Sequence, residues 1–574
     1  MNMKHFFRLC VSGLCLSALS ACSTPTGPVL RSGNGANISP NARLYGDYLI
    51  GSYAALIGDS KTRSKNYARA FALEPKNDML GHRALISSLL AGNNALTRTL
   101  AIELLNIDEN DGFSRAILGV NNLANGDYDK AIIRLAPSVQ ENGFEYVIAL
   151  LRGWAQMGKG DSEAALKAFS SFEKSPYYNV LGQLQTAQVY ARTGETKKAK
   201  EYFAKVNGVG ISVIETLLLE ARFLAKNGEK KEALKILNRF ADKNGGAVTG
   251  PVRDLITAIE AGGALGADLT PAQMASRSLS EPAFEFYARQ HRYQTAQAFL
   301  RMALELDPDN HKALLFLGTV LESVKDIAGA RAVFDQVPKT SSYWETAQLS
   351  SINILMAEGK NDEAIKMLKI LHKQHPSKTT LSSLGRAYLI LKDYENALPF
   401  YEKLIGQTSA EELLKNPNAR YLRGICLEQL GRWEDSVADF EFVLKVDPDN
   451  ADALNYLGYT WVDKGVNLTK AMNMIRKAVE LKPKSGAIID SLGWAHFKLG
   501  HYVHARKELE MAAKRSPASA TIIDHLGDVY WKLGRTVEAK YQWERALTLD
   551  PTDTEIKLIK AKIKGGIGAA KKLK

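Results

Sequence analysis

Six glycines fix the frame of this chain. Gly58, Gly92, Gly126, Gly160, Gly194 and Gly228 stand 34 residues apart without a slip. Seven residues before each stands Gly51, Leu85, Gly119, Gly153, Ala187 or Ala221, mostly small residues. Ala131, Ala165, Ala199 and Ala233 follow the last four glycines by five. A fixed period of this length is the mark of a stacked array, because one unit cannot bury its own apolar face and must lie against the next. Glycine at the end of one periodic segment permits a tight turn. Small residues in the flanking segments let two helices approach closely.

The spacing resembles that of the tetratricopeptide repeat, a helix–turn–helix unit. The pattern resumes at Ala296, Ala330, Ala364 and Ala397, and it is clearest near the C-terminus. There Gly424, Gly458, Gly493 and Gly527 mark first helices, and Gly431, Gly465, Gly500 and Gly534 mark turns. Ser436, Ala471, Ala505 and Ala539 mark second helices, and Pro448, Pro483, Pro517 and Pro551 end each unit. In "KVDPDNADALNYLG", Pro448 stops one helix and Asp449 or Asn450 can cap the next. The resemblance implies an all-α, right-handed superhelical solenoid of about 14 repeats. The expected order is six repeats over 44–240, an interruption or degenerate repeat over 241–277, and four repeats over 278–405. An insertion at 406–416, four repeats over 417–552 and a closing helix with a basic tail over 553–574 complete it. The stretch 241–277 is long enough to act as a hinge, the reading preferred here. Residues 553–564 are read as the closing helix and "GGIGAAKKLK" as a mobile end.

The N-terminus reads differently. Lys4 and Arg8 precede the apolar run "LCVSGLCLSALSA" of about 13 residues, too short to span a bilayer. Residues 1–21 therefore read as a signal peptide. Leu19-Ser20-Ala21-Cys22 resembles the bacterial lipobox, which implies lipidation at Cys22, and Ser23 resembles the outer-membrane sorting class. Several acyl chains on one residue, at ~0.8 kcal/mol per buried methylene, would make a lasting anchor. Residues 22–43, rich in Pro, Gly, Ser and Asn, read as a flexible tether. The expected location is the periplasmic side of the outer membrane. Cys426 is then the sole cysteine left and reads as a buried small apolar residue.

Charge and motifs narrow the function. The formal charge is +12, but seven lysines follow Glu555 with no acid among them, and the body is nearly neutral. That argues against a nucleic-acid groove, which needs basic residues along a face. No stretch of 100 residues escapes the repeat, so no catalytic domain or cofactor is expected. His372 and His375 form H-x-x-H without the glutamate that a metalloprotease needs. His496, His501, His504 and His525 crowd two adjacent repeats, and packing explains them better than ligation.

What remains is surface. The family resemblance implies a concave groove lined by the first helices. At its lining positions stand Asn455, Tyr459, Asp490, Trp494, Phe497, Lys498, Asp524, Asp528, Trp531 and Lys532. Aromatic rings beside short polar acceptors suit a protein segment bound as an extended peptide. Asp490, Asp524 and Asp528 would repel a carboxylate, so a carboxylate-clamping groove is not expected. The same positions give Leu150, Trp154, Leu184 and Leu218 in the N-terminal repeats, which predicts a second, apolar binding surface. The expected function is a non-enzymatic scaffold of the long lipoprotein type. It would serve either as an adaptor for a periplasmic protease or cell-wall enzyme, or as a subunit of a secretion, export or outer-membrane assembly machine. A metal-binding role of the histidine-rich repeats is the remaining alternative.

Overall fold

The glycines of the ruler all turn the chain through the left-handed region, with φ between 73° and 89°. A side chain there is strained, so each glycine ends one helix and starts its antiparallel partner. The computed structural model describes residues 39–136, 145–174, 176–206, 213–243 and 250–571. Cys22, the signal-like segment and nearly all of the tether lie outside these residues. The first pair, α1 (Pro40–Ile57) and α2 (Ser60–Leu73), begins inside the stretch read as tether. Five pairs follow: α3 (Asp78–Ala91) and α4 (Asn94–Ile107), α5 (Gly112–Ala124) and α6 (Tyr128–Arg134), α7 (Glu145–Lys159) and α8 (Ser162–Ser170), α9 (Pro176–Arg192) and α10 (Thr196–Val206), α11 (Val213–Lys226) and α12 (Lys230–Lys243).

Next, α13 (Gly250–Glu260) stands without a second helix, and residues 261–270 lead onward. Four pairs follow: α14 (Pro271–Ala288) and α15 (Tyr293–Leu306), α16 (His311–Ser323) and α17 (Ile327–Phe334), α18 (Trp344–Ala357) and α19 (Asn361–Gln374), α20 (Lys378–Ile390) and α21 (Tyr394–Gly406). The insertion holds a short helix, α22 (Ala410–Lys415), started by a Ser409–Glu412 capping box. The last pairs are α23 (Asn418–Gln429) and α24 (Trp433–Val446), α25 (Ala451–Lys464) and α26 (Leu468–Leu481), α27 (Gly486–Lys498) and α28 (Tyr502–Arg515), α29 (Ala520–Lys532) and α30 (Thr536–Leu547), before α31 (Asp553–Lys571). Asn450, rather than Asp449, caps α25, accepting from the Ala453 amide at 3.0 Å.

The small residues of the first helices do something more specific than admit an alanine. A Cβ on Gly493 would stand 2.6 Å from Leu509 Cγ, and one on Gly119 would stand 2.6 Å from Leu135 Cγ. Gly153 meets Phe169, Gly318 meets Phe334 and Gly424 meets Phe440 in the same way. In each case a large side chain sixteen residues later lies on the bare glycine. The alanines are fully buried beside it, Ala165 and Ala505 among them.

The interruption is neither a plain hinge nor a full repeat. Gly262 keeps the 34-residue spacing and the positive φ of 63°, and α13 packs on α11 and α12 as a first helix would. The chain then turns back. Helix α14 lies against α7 and α5, and α15 lies against α5 and α3. These are first helices of the N-terminal pairs, so the chain itself occupies the face read as a second binding surface. Leu150, Trp154, Leu184 and Leu218 are all buried, Trp154 completely. Polar groups match as well. Trp154 Nε1 and the Ser278 hydroxyl both donate to Gln185 Oε1, at 3.0 and 2.7 Å. Gln297 Nε2 and Arg301 Nε donate to the Leu90 carbonyl at the end of α3, at 2.8 and 3.2 Å. Glu305 accepts from Arg98 at 2.7 Å, from Asn121 at 3.1 Å, and from Asn94. One apolar cluster accordingly runs from Tyr67 to Ala387.

This return is testable by cutting it. With a protease site inserted between Gly263 and Gly266, the two cleaved fragments should still elute together on size exclusion without denaturant. Two separated peaks would show that the N-terminal face is free.

Candidate functional site in the C-terminal repeats

The ten residues read as groove-lining fall on α25, α27 and α29, as their spacing requires, but neighbours engage most of them. Trp494 stacks on Phe497 with ring centroids 4.7 Å apart and on His525 at 4.0 Å. Phe497 also leans on Tyr502 at 5.5 Å. Lys498 reaches Asp463 at 2.9 Å, and the Lys532 ammonium lies 5.9 Å from the Tyr502 ring centre. The aromatics are therefore partly consumed by local stacking, leaving Tyr459, Trp494 and Phe497 half-buried.

Asp490 is buried and faces the His525 ring, Nδ1 lying 3.0 Å from Oδ1. Burial works against a charged imidazole. The charge and hydrogen bond of Asp490 more than offset that, and Asp524 and Asp528 add to it, so the His525 pKa lies above its ordinary value. His525 thus belongs to a buried hydrogen-bonded pair joining two repeats, which sequence reading missed.

Asp524 and Asp528 hold a cation from the end of the chain. Lys562 of α31 reaches Asp524 Oδ2 at 2.7 Å and Asp528 Oδ2 at 2.8 Å. Trp543 Nε1 donates to the other Asp528 oxygen at 3.0 Å. Burial pushes Asp528 up, to about 6, against the pull of Lys562. Ile559, Ile563 and Ile567 pack into the cluster of Trp531 and Trp543. The closing helix therefore runs past residue 564. It bends at Gly565 and Gly566, where a Cβ on Gly566 would strike the Trp531 ring, and this corrects the reading of a mobile end from 565 onward. The Ile559–Ile563–Ile567 spacing carried the signal, masked by the glycine pair between them.

Three polar atoms of the residues read as groove-lining stay unspent. Asn455 Oδ1, Trp494 Nε1 and Asp524 Oδ1 are withdrawn from solvent and have no hydrogen-bond partner. An unsatisfied buried group costs about 1–3 kcal/mol. One acceptor, one donor and a second acceptor are thus left on three successive first helices.

The remaining candidates resolve simply. Cys426 is fully buried, and burial pushes its thiol up to about 11. His372 Nδ1 lies 2.8 Å from the Thr380 hydroxyl, and His375 Nδ1 lies 3.4 Å from Glu345. The rings of His496, His501 and His504 gather within 5.4–6.3 Å of one another, while His525 stands apart with Asp490. Among the described residues no group of three or more His, Cys, Asp or Glu side chains is arranged to hold a metal ion.

Family models described as tetratricopeptide repeat match residues 287–341, 351–412, 421–485 and 491–554. Residues 287–554 thus carry tetratricopeptide repeats. The chain is similar to the TPR repeat-containing protein PA4667 of Pseudomonas aeruginosa, 32% identical over 199 residues, covering 34% of this chain and 32% of that one. It is also similar to the protein CTR9 homolog of Arabidopsis thaliana, 30% identical over 208 residues, covering 34% of this chain and 18% of that one. The chain thus spans about a third or less of the length of these curated relatives. Among solved structures, the APC/C hetero-tetramer Cut9–Hcn1 aligns over 91% of this chain and 98% of its own at 15% identity, with a TM-score of 0.38.

The Asp490–His525 pair gives a pH dependence. A raised folded pKa stabilises fully below the unfolded value of ~6.5, and that contribution fades as pH rises through the folded pKa. Asp490→Asn should therefore lower the thermal midpoint more at pH 6 than at pH 9. Equal losses at both pH values would show that the pair carries no charge.

Proposed function

We propose that this protein is a lipid-anchored scaffold on the periplasmic side of the outer membrane that holds an extended protein segment along α25, α27 and α29. The observation that carries the binding reading is the run of half-buried rings Tyr459, Trp494 and Phe497 along α25 and α27. Such rings supply apolar contact to an extended protein segment. The tetratricopeptide repeats support a protein-binding role in general. The proposed task is to present a substrate to a periplasmic protease or cell-wall enzyme, with the chemistry done by that partner.

The outer face of α1 supports the membrane part of the reading. Asp47, Gly51 and Ala54 of α1 are buried. The opposite side exposes Tyr45, Leu49, Tyr53 and Leu56, the last at 85% of its full accessibility. Helix α31 closes the far end of the stack, whereas no described helix precedes α1, and terminal repeats ordinarily present a polar outer face. Tyrosine with aliphatic residues suits a bilayer interface. Cys22 precedes Ser39 by 17 residues, a span of at most about 60 Å when extended. Among the described residues no helix is long and apolar enough to cross a membrane. The same face favours a second reading, in which α1 seats on another protein of an envelope machine.

Two measurements test this. Cys22→Ala should shift the protein from the membrane to the soluble periplasmic fraction, and retention would mean that something else anchors it. In the Cys22→Ala background, Leu49→Asp with Leu56→Asp should weaken the remaining binding to phospholipid vesicles; vesicle binding kept while a co-purifying membrane protein is lost would favour the machine subunit. For the groove, purified protein should accelerate cleavage of a cell-wall hydrolase by a carboxyl-terminal processing protease. Trp494→Ala should cut that acceleration about tenfold, as loss of an interface anchor does. No acceleration would remove the adaptor role.

A further inference from the structure

A cavity of about 410 Å³ opens where α11, α13, α14, the start of α16 and residues 340–343 meet. It lies at the seam between the N-terminal pairs and the helices that fold back onto them. Its charges are unevenly matched. Lys312 stands 3.4 Å from Glu215 and 3.2 Å from Glu281, and Arg277 stands 3.7 Å from Glu215. These distances are long for charge-assisted hydrogen bonds, which run near 2.7–2.9 Å. Arg222 makes no hydrogen bond or ion pair with any described residue, although it lines the same wall and is half-buried. Burial first and repulsion from Arg277 second lower its pKa, and the attraction of Glu215 offsets only part of this. A half-buried guanidinium that lines the same cavity as Arg277, without a carboxylate at hydrogen-bond distance, is a poor arrangement for a cation alone. An anion between the two forks would relieve it.

The rest of the wall limits which anion. Leu255 and Leu265 give the cavity an apolar side, so the ligand needs a carbon body as well as charge. Glu215 sits in the same cluster, which favours one negative charge over a dianion such as phosphate. We propose that this cavity binds a small organic monocarboxylate, its oxygens held by Arg222 and Arg277 and its apolar body against Leu255 and Leu265. Because Arg222 belongs to α11 and Arg277 to α14, the bound acid bridges the N-terminal pairs and the returning helices.

The test uses the full chain with hexanoate, benzoate, hexanamide and inorganic phosphate in calorimetric titrations, each paired with thermal unfolding. At least one of the two carboxylates should bind saturably and raise the unfolding midpoint, and hexanamide should do neither. Arg222→Gln should weaken that binding at least tenfold while leaving the ligand-free midpoint unchanged or higher, since the residue has no partner to lose. If that variant misfolds, Leu265→Glu, which adds a like charge to the wall, should abolish binding instead. No saturable binding of either acid, or full binding by the variants, would overturn the proposal. Phosphate binding as tightly as the acids would overturn the assignment to a monocarboxylate.

Discussion

The architecture depends on one repeated contact, a large side chain resting on the bare backbone of a glycine sixteen residues before it. Gly119 under Leu135, Gly153 under Phe169 and Gly493 under Leu509 are instances. The contact sets how closely the two helices of a pair approach. The left-handed turn residue then sets their reversal. Where glycine is absent from the turn, His291, Lys325 and Lys392 take the same conformation, with φ of 53°, 65° and 58°. The energetic cost there is of order 1 kcal/mol per residue, small against the burial of a Phe or Leu at ~1.5–3 kcal/mol. Packing therefore overrides the local preference, and the period survives changes of turn residue.

Apolar first helices do not by themselves make a binding surface. In the N-terminal pairs that face is covered by α14 and α15, whose Gln297 and Arg301 satisfy the Leu90 carbonyl and whose Glu305 collects Arg98 and Asn121. At the other end, Lys562 sits between Asp524 and Asp528. Both ends of the solenoid thus use the chain's own segments where a separate ligand might have been expected. Along α25 and α27 no such segment lies over half-buried Tyr459, Trp494 and Phe497 among the described residues.

The helix pairs were legible because their determinants are local: a glycine at a turn, a small residue one helix face away, a proline after the unit. The length of α31 was less so, because Gly565 and Gly566 read as an end although Ile567 continues the apolar spacing. The folding back of α14 was not legible. It joins residues about 200 positions apart, such as Leu90 and Gln297, and periodicity shows that a face is apolar without showing what covers it. The site residues were found on the correct helices for the same local reason. Their pairing was not, since Lys562 looked like one of several solvated tail lysines and His525 like a core histidine.

The filled N-terminal face also has a mechanical meaning. A stack of helix pairs that touch only their neighbours extends like a spring, each interface yielding a little. Threading α14 and α15 along α3, α5 and α7 adds struts across several coils, so that portion resists stretch and bend as one body. The pairs from α23 onward have no such brace among the described residues. Compliance is therefore concentrated toward the C-terminal pairs, where a superhelix that can open and tighten would adjust its pitch to the segment it is proposed to hold.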